Sequence, residues 1–352
     1  MDSIVRKNTG SYYTCNSVAD YIAKWAIDSP QACVLEPSFG DGIFIDSALS
    51  CFAEIGNKEP SIIGVEIQKE PYDYYIRNHS SVIGYQMDFM DYQSNTELDA
   101  IIGNPPYVSL KNLEAEQKEK TLQLMRTYGI ELQTSSSLWM PFVIHSTELL
   151  KPFGKLGFVL PYEITHVRYA FDLWKYLSTH YGKITICRVF CDFFPEVDVE
   201  TIIFLAEKKG EKTNHIFYKV FNTLSDLYAD NACHSSLVSI DDIITLKKPF
   251  VSALVPSIVN DVLIRLRKER KLAMYVRDCK FKIGYVTGNK RFFHPSAEKI
   301  RQVGINFVNL KRSLLNAKRI NANNNVGIAT ASICPQERHC GRFGFDCEVG
   351  KT

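Results

Sequence analysis

Along the first two hundred positions, short unbroken apolar runs bounded by glycine alternate with stretches in which apolar residues recur at helical spacing. Val18, Tyr21, Ile22, Trp25 and Ala26 share one helical face, so residues 17–27 predict an amphipathic helix. Residues 32–35 form a short buried strand, followed by a glycine turn and an apolar helix from Phe44 to about Ile55. Further strands are expected at 61–65, more weakly at 82–86, and at 98–103. A helix over 138–150, a strand over 156–160 and a strand over 201–205 that closes the sheet complete the pattern. Strands alternating with helices in this way predict an α/β domain built on a doubly wound, mostly parallel sheet, with ligands gathered at the carboxyl ends of its strands. The domain is expected to span residues 1–247, leaving 248–352 for a second, smaller C-terminal domain. Residues 111–127 are polar and helix-prone with few apolar anchors, and are read as a mobile lid.

A chain of 352 residues with 45% apolar content can bury two cores, and nothing in it suggests disorder. No run approaches the roughly 18 apolar residues of a membrane span, and the N-terminus lacks the apolar core of an export signal. A cytoplasmic protein is expected, and a monomer. The ten cysteines are scattered with no C-x-x-C pair, which fits reduced core residues rather than a disulfide framework. Cys334, His339, Cys340 and Cys347 cluster near the end, but neighbouring ligands at 339 and 340 point apart, so no metal is expected. Charge changes the picture more. Residues 1–260 carry 22 Lys and Arg against 32 Asp and Glu, whereas 261–320 carry 16 against 4. This segregation predicts a polyanion-binding segment beside an acidic catalytic domain.

The candidate chemistry sits at strand ends. Asn104-Pro105-Pro106-Tyr107 follows the fourth strand. An exocyclic amine on a nucleobase is a poor nucleophile, because its lone pair is delocalised into the ring and its hydrogens lie in the ring plane. Two acceptors, the Asn104 side-chain oxygen and the Pro105 carbonyl, can draw those hydrogens out, and the prolines fix the backbone that aims them. Tyr107 offers a flat face to an extruded base. Earlier, Glu36-Pro37-Ser38-Phe39-Gly40-Asp41-Gly42 joins the first strand to its helix. Its glycines admit close approach of backbone to a ligand, and Glu36 suits a cationic amine better than a pyrophosphate. Glu66 ends the second strand, where a carboxylate can take two ribose hydroxyls. Asp88-Phe89 follows the third and offers an acceptor beside an aromatic face.

Taken together these strings resemble the S-adenosylmethionine-dependent amino-methyltransferases, and most closely the adenine-N6 DNA methyltransferases of the Taq type, in which a recognition domain follows the catalytic one. The resemblance implies a class I, Rossmann-like methyltransferase fold, S-adenosylmethionine as methyl donor, and transfer to N6 of a flipped adenine in double-stranded DNA. It further implies a prokaryotic restriction-modification setting, with a cognate restriction endonuclease as a partner. Thr14, in Gly10-Ser11-Tyr12-Tyr13-Thr14, matches a residue that contacts the cofactor carboxylate, although Cys15 stands where the family usually has proline. Phe142 matches a second aromatic that stacks on the cofactor, and Phe194 one that closes on the target base opposite Tyr107. The resemblance assigns Thr14, Glu36, Ser38, Glu66, Asp88, Phe89 and Phe142 to the cofactor, and Asn104, Pro105, Tyr107 and Phe194 to the reaction. Residues 283–293 resemble the start of the recognition domain and present Asn289, Lys290 and Arg291 to DNA; the likeness continues through 327–333 and then stops, so a shortened recognition domain is expected.

Other readings stay open. Methylation at cytosine C5 needs a cysteine nucleophile in the corner that Pro105-Pro106 occupies, and is disfavoured. Cytosine N4 methylation uses the same physics as adenine N6. Glutamine-N5 protein methylation and RNA amino-methylation share the Asn-Pro-Pro-Tyr string but usually lack the Tyr12-Tyr13-Thr14 segment and the basic extension. A catalytically degenerate DNA-binding relative is the non-enzymatic alternative. A metal nuclease built on Pro195-Glu196 and Glu207-Lys208-Lys209 is the most distant.

Overall fold

The computed structural model describes residues 14–167, 169–190 and 200–245, with residues 250, 253, 254, 262 and 265 and the strands 310–312 and 331–333 beyond them. The chain divides into two compact units, Met1–Arg265 and Leu266–Thr352. Phe250, beyond the boundary expected at 247, is fully buried against Trp174 and Tyr218, so the core of the first unit draws on residues past that boundary.

The first unit is laid out as α1 (Asn16–Ala26), β1 (Cys33–Glu36), α2 (Ile43–Glu54), β2 (Ser61–Glu66), α3 (Lys69–Asn78), β3 (Val82–Gln86), β4 (Leu98–Gly103), α4 (Ala115–Thr127), α5 (Trp139–Leu149), β5 (Leu150–Pro161), α6 (Ala170–His180), β6 (Tyr181–Val189), β7 (Thr201–Lys209), β8 (His215–Phe221), α7 (Leu224–Tyr228), β9 (His234–Ser239) and α8 (Ile240–Thr245). The strands form one nine-stranded sheet in the order β3-β2-β1-β4-β5-β7-β6-β8-β9. Neighbours from β3 to β5 run parallel, as do β6 and β8, while β7 lies antiparallel between β5 and β6 and β9 lies antiparallel on β8. Thr201–Leu205 therefore does not close the sheet as the sequence pattern suggested. It is an interior strand, beyond which β6, β8 and β9 continue the layer.

Both faces of this sheet are covered, which is why its central strands read as apolar runs rather than alternations. The alternation is nevertheless physical. Val34, Ile62, Ala100 and Ile102 project into one core with Val18, Ile22 and Ala26 of α1 and Phe44 and Ala48 of α2. Leu35, Ile63, Ile101 and Phe158 project into the other, with Trp139 and Val143 of α5 and Trp174 of α6. Helix α1 lies so close to β5 that a Cβ on Gly157 would come within 2.7 Å of Ile22.

The stretch expected to be a loose lid is helix α4, and it is anchored. Thr121 and Met125 are fully buried on it, and Lys120 pairs with Asp91 at 2.8 Å. Threonine counts as polar in a hydrophobicity pattern, yet its hydroxyl donates to Gln117 O at 2.8 Å and so enters the core without cost to hydrogen bonding.

In the second unit, β10 (Leu310–Arg312) pairs antiparallel with β11 (Ala331–Ile333) in the register Leu310 to Ile333. Phe194, Asn289, Lys290, Arg291 and the Cys334, His339, Cys340, Cys347 group lie outside the described residues.

Candidate functional site

Because β3, β2, β1 and β4 are adjacent and parallel, their carboxyl ends share one edge. Glu36 is the last residue of β1, Glu66 the last of β2, Asp88 follows β3 by two residues and Asn104 follows β4 directly. A cavity of about 290 Å³ opens at that edge, lined by Thr14, Glu36, Ser38, Glu66, Asp88, Phe89 and Phe142, with Asn104 and Pro106 on the side of the diproline corner. Every residue that the resemblance assigned to the cofactor is thus brought to one cavity.

The turn between β1 and α2 is shaped by its glycines. Gly40 and Gly42 take φ of 54° and 84°, in the left-handed region where other residues are strained. At Gly42 a Cβ would also lie 1.9 Å from the ring of Tyr75, itself fixed by donation to Asp46 Oδ1 at 2.5 Å. The turn supplies one backbone N–H to Glu66 and the segment after β2 another: Gly40 N donates to Glu66 Oε2 at 2.9 Å, while Gln68 N donates to Glu66 Oε1 at 2.7 Å. Glu66 is thereby held with a further lone pair on each oxygen.

Glu36 is only 2% exposed, and its Oε2 has no hydrogen-bond partner among the described residues; the same is true of Oγ1 of Thr14, which is 4% exposed. Orphaned buried polar atoms are costly and call for an explanation. Burial pushes the Glu36 carboxyl well above the usual carboxylate range, and the charges of Asp41 and Glu66 push it further, against a counter-pull from the Ile45 N–H. Burial likewise raises Asp41 and Glu66. Among the described residues, the lining contains five carboxyl groups, those of Glu36, Asp41, Glu66, Asp88 and Glu114, and no Lys, Arg or His. Such a cavity attracts a cationic ligand and repels a phosphate-bearing one. A hydroxyl donor and a carboxylate acceptor in one lining, both without a partner among the described residues, match the zwitterionic end of an α-amino acid.

In the same lining, Phe89 and Phe142 pack at 4.9 Å between ring centroids, tilted by 38°, and form an apolar wall suited to a flat ring. Beneath them His145 is buried; its Nε2 meets Tyr92 O at 3.0 Å and its Nδ1 meets Tyr128 OH at 2.8 Å. Since a carbonyl only accepts, Nε2 carries the proton and Nδ1 accepts from the tyrosine. Burial holds the imidazole pKa down, so this histidine is a neutral support for Phe89, 4.8 Å away.

The diproline corner also borders the cavity. Ser38 Oγ donates to Asn104 O at 3.5 Å, tying the β1 turn to the corner. Asn104 lines the cavity, whereas Pro105 is buried behind it and Pro106 reaches the lining. Tyr107 does not line this cavity; its hydroxyl donates to Val159 O of β5 at 3.0 Å, which fixes the ring at the same sheet edge. Sequence reasoning did not single out Gln68, Asn112, Glu114 or Gln117, which also line the cavity. Gln117 donates to Asp88 Oδ2 at 2.9 Å, a contact between positions 29 residues apart that carries no local signature.

Residues 51–190 match the family model described as Eco57I restriction-modification methylase. Among curated proteins, the chain is similar to the type II methyltransferase M.BstVI of Geobacillus stearothermophilus, 28% identical over 181 residues, 42% of this chain and 32% of that one. It is also similar to the type II methyltransferase M.HincII of Haemophilus influenzae, 29% identical over 178 residues, 50% of this chain and 32% of that one. The chain thus spans about a third of the length of these relatives. A putative class I S-adenosylmethionine-dependent methyltransferase from Listeria monocytogenes superposes with a TM-score of 0.52 at 16% identity, over 67% of this chain and 72% of that one. The fold is the Rossmann-like α/β fold of class I methyltransferases.

Proposed function

We propose that this chain, whose residues 51–190 carry the restriction-modification methylase match, is a DNA methyltransferase that uses S-adenosylmethionine to methylate N6 of adenine. The observation that carries the reading is the pair of buried atoms, Glu36 Oε2 and Thr14 Oγ1, that have no hydrogen-bond partner among the described residues and lie in a carboxylate-rich cavity also lined by Asn104. A methionyl end, with its ammonium and carboxylate, satisfies both atoms, whereas the acidic lining disfavours the phosphates of a dinucleotide or nucleoside triphosphate.

When bound, the cofactor supplies a methyl group on a positively charged sulfur. Groups of this protein do the rest. Thr14 donates to the carboxylate and Glu36 accepts from the ammonium. Ser38 secures the turn to the corner, Glu66 receives the ribose hydroxyls, Asp88 accepts from the purine amine, and Phe89 with Phe142 bounds the purine faces. Asn104 and the Pro105 carbonyl accept the two hydrogens of the target amine, drawing them out of the ring plane and returning the lone pair to nitrogen. Tyr107 and Phe194 sandwich the flipped base, each stack being worth roughly 1–3 kcal/mol, comparable to the few kcal/mol that unstacking costs. Direct transfer needs no covalent enzyme intermediate. Asn289, Lys290 and Arg291, within the basic stretch 261–320, contact double-stranded DNA, and a restriction endonuclease of matching specificity is the expected partner.

The experiment is transfer of a labelled methyl group to DNA by the wild-type chain and by Asn104→Ala, with nucleoside analysis of the product. Label in N6-methyladenine from the wild type, and a loss of at least about 100-fold in the variant with cofactor binding intact, is the expected result. Label in N4-methylcytosine, in RNA or on a protein glutamine, with DNA adenine unlabelled, would overturn it.

A further inference from the structure

We infer that Gln117 of α4 reads, together with Asp88, the exocyclic amine of the cofactor's purine; this rests on the S-adenosylmethionine reading of the cavity. Asp88 stands immediately before Phe89, so a purine lying against that ring brings its edge to this carboxylate. Both carboxylate oxygens already have one donor: Met90 N lies 2.9 Å from Oδ1, and Gln117 Nε2 lies 2.9 Å from Oδ2. Only the NH₂ side of the carboxamide can face an acceptor-only carboxylate, which fixes the amide orientation and leaves Gln117 Oε1 as an acceptor at the same wall. Gln117 and Asp88 both line the cavity.

An exocyclic amine brings two N–H groups and needs two acceptors. The remaining lone pair of Asp88 Oδ2 supplies one, and Gln117 Oε1 supplies the other. A purine with a carbonyl in that position would meet two acceptors and no donor, which costs far more than a missing contact. Gln117 thus adds discrimination that Asp88 alone does not provide. Helix α4 does not depend on this contact for its place. Lys120, three residues on, holds Asp91 at 2.8 Å, and Met125 is fully buried. Removal of the glutamine side chain therefore leaves the helix docked.

The test is calorimetric binding of S-adenosylhomocysteine and of its 6-oxo analogue, S-inosylhomocysteine, to the full chain as wild type, Gln117→Ala and Gln117→Leu. The wild type should prefer the adenosyl compound by about 100-fold or more, and in both variants that ratio should fall about tenfold, through weaker adenosyl binding. The leucine variant keeps the bulk of the side chain, so a packing role alone would leave its ratio at the wild-type value. A ratio unchanged in both variants overturns the inference and leaves the cofactor reading standing. A wild-type chain that binds neither compound overturns the cofactor reading and the inference with it.

Discussion

Glu36→Gln should move stability and ligand affinity in opposite directions. Glu36 Oε2 is buried without a hydrogen-bond partner among the described residues, and the folded-state pKa lies above that of the unfolded chain. A carboxyl raised on folding contributes stability below its unfolded pKa, near 4.3, and that stability is lost as pH rises through the folded value. Glutamine is nearly isosteric and does not titrate. The stability difference, glutamine minus glutamate, should therefore be small at pH 4.5 and grow in favour of glutamine as pH rises to 8. A buried unsatisfied group costs about 1–3 kcal/mol, more when charged, so a gain of about 1 kcal/mol or more is expected at pH 8, or a Tm increase of roughly 2–4 °C. Binding responds the other way. A hydrogen bond between ionised partners contributes about 1.5–3 kcal/mol, so the variant should bind S-adenosylmethionine roughly 10- to 150-fold more weakly. At pH values below the raised pKa, ammonium binding must also release a proton from wild-type Glu36. Calorimetry in two buffers of different ionisation enthalpy reads that release, and thermal unfolding across pH reads the stability. A Tm difference that does not vary with pH, or full affinity in the variant, would refute the reasoning.

Two further predictions concern the scaffold beneath the cavity. Gly42→Ala forces a left-handed φ of 84° on alanine, at about 1–2 kcal/mol, and displaces the Tyr75 ring, at about 1–3 kcal/mol. Urea unfolding should show a loss of about 2–5 kcal/mol, and a loss under about 1 kcal/mol would mean that the turn relaxes freely. His145 is buried with its pKa held below the free value, so the unfolded chain takes up its proton first and stability falls as pH drops from about 6.5 towards the folded value. In His145→Gln that part of the decline should vanish; equal losses of urea midpoint between pH 7.5 and 5.5 in both proteins would contradict it.

Much of the cavity lining was legible because its residues lie at fixed places relative to local elements. Glu36, Glu66, Asp88 and Asn104 each end or follow an apolar run, and parallel pairing of those runs leaves no option but to bring the four together. Strand order beyond β5 was not legible, since nothing in Thr201–Leu205 tells whether the strand lies at an edge or between two others. Strands β6, β8 and β9 escaped because polar residues punctuate them, as in His234–Ser239, where the burial alternates at a half-exposed edge. Helix α3 escaped for a similar reason: Tyr75 is its one fully packed residue, and Tyr74 beside it is 75% exposed. Gln117 could not be found from sequence, because a glutamine on a polar helix gains meaning only when that helix docks against Asp88.

The central claim is that a cationic methyl donor lies along the strand ends with its sulfur towards the diproline corner. A crystal structure of the protein with S-adenosylhomocysteine tests it most directly. The account predicts the amino-acid ammonium within hydrogen-bond distance of Glu36, the adenine against Phe89, and the sulfur facing Asn104 and Pro105. A complex in which the ligand lies elsewhere, or in which the corner turns its oxygens away from the sulfur, would contradict it.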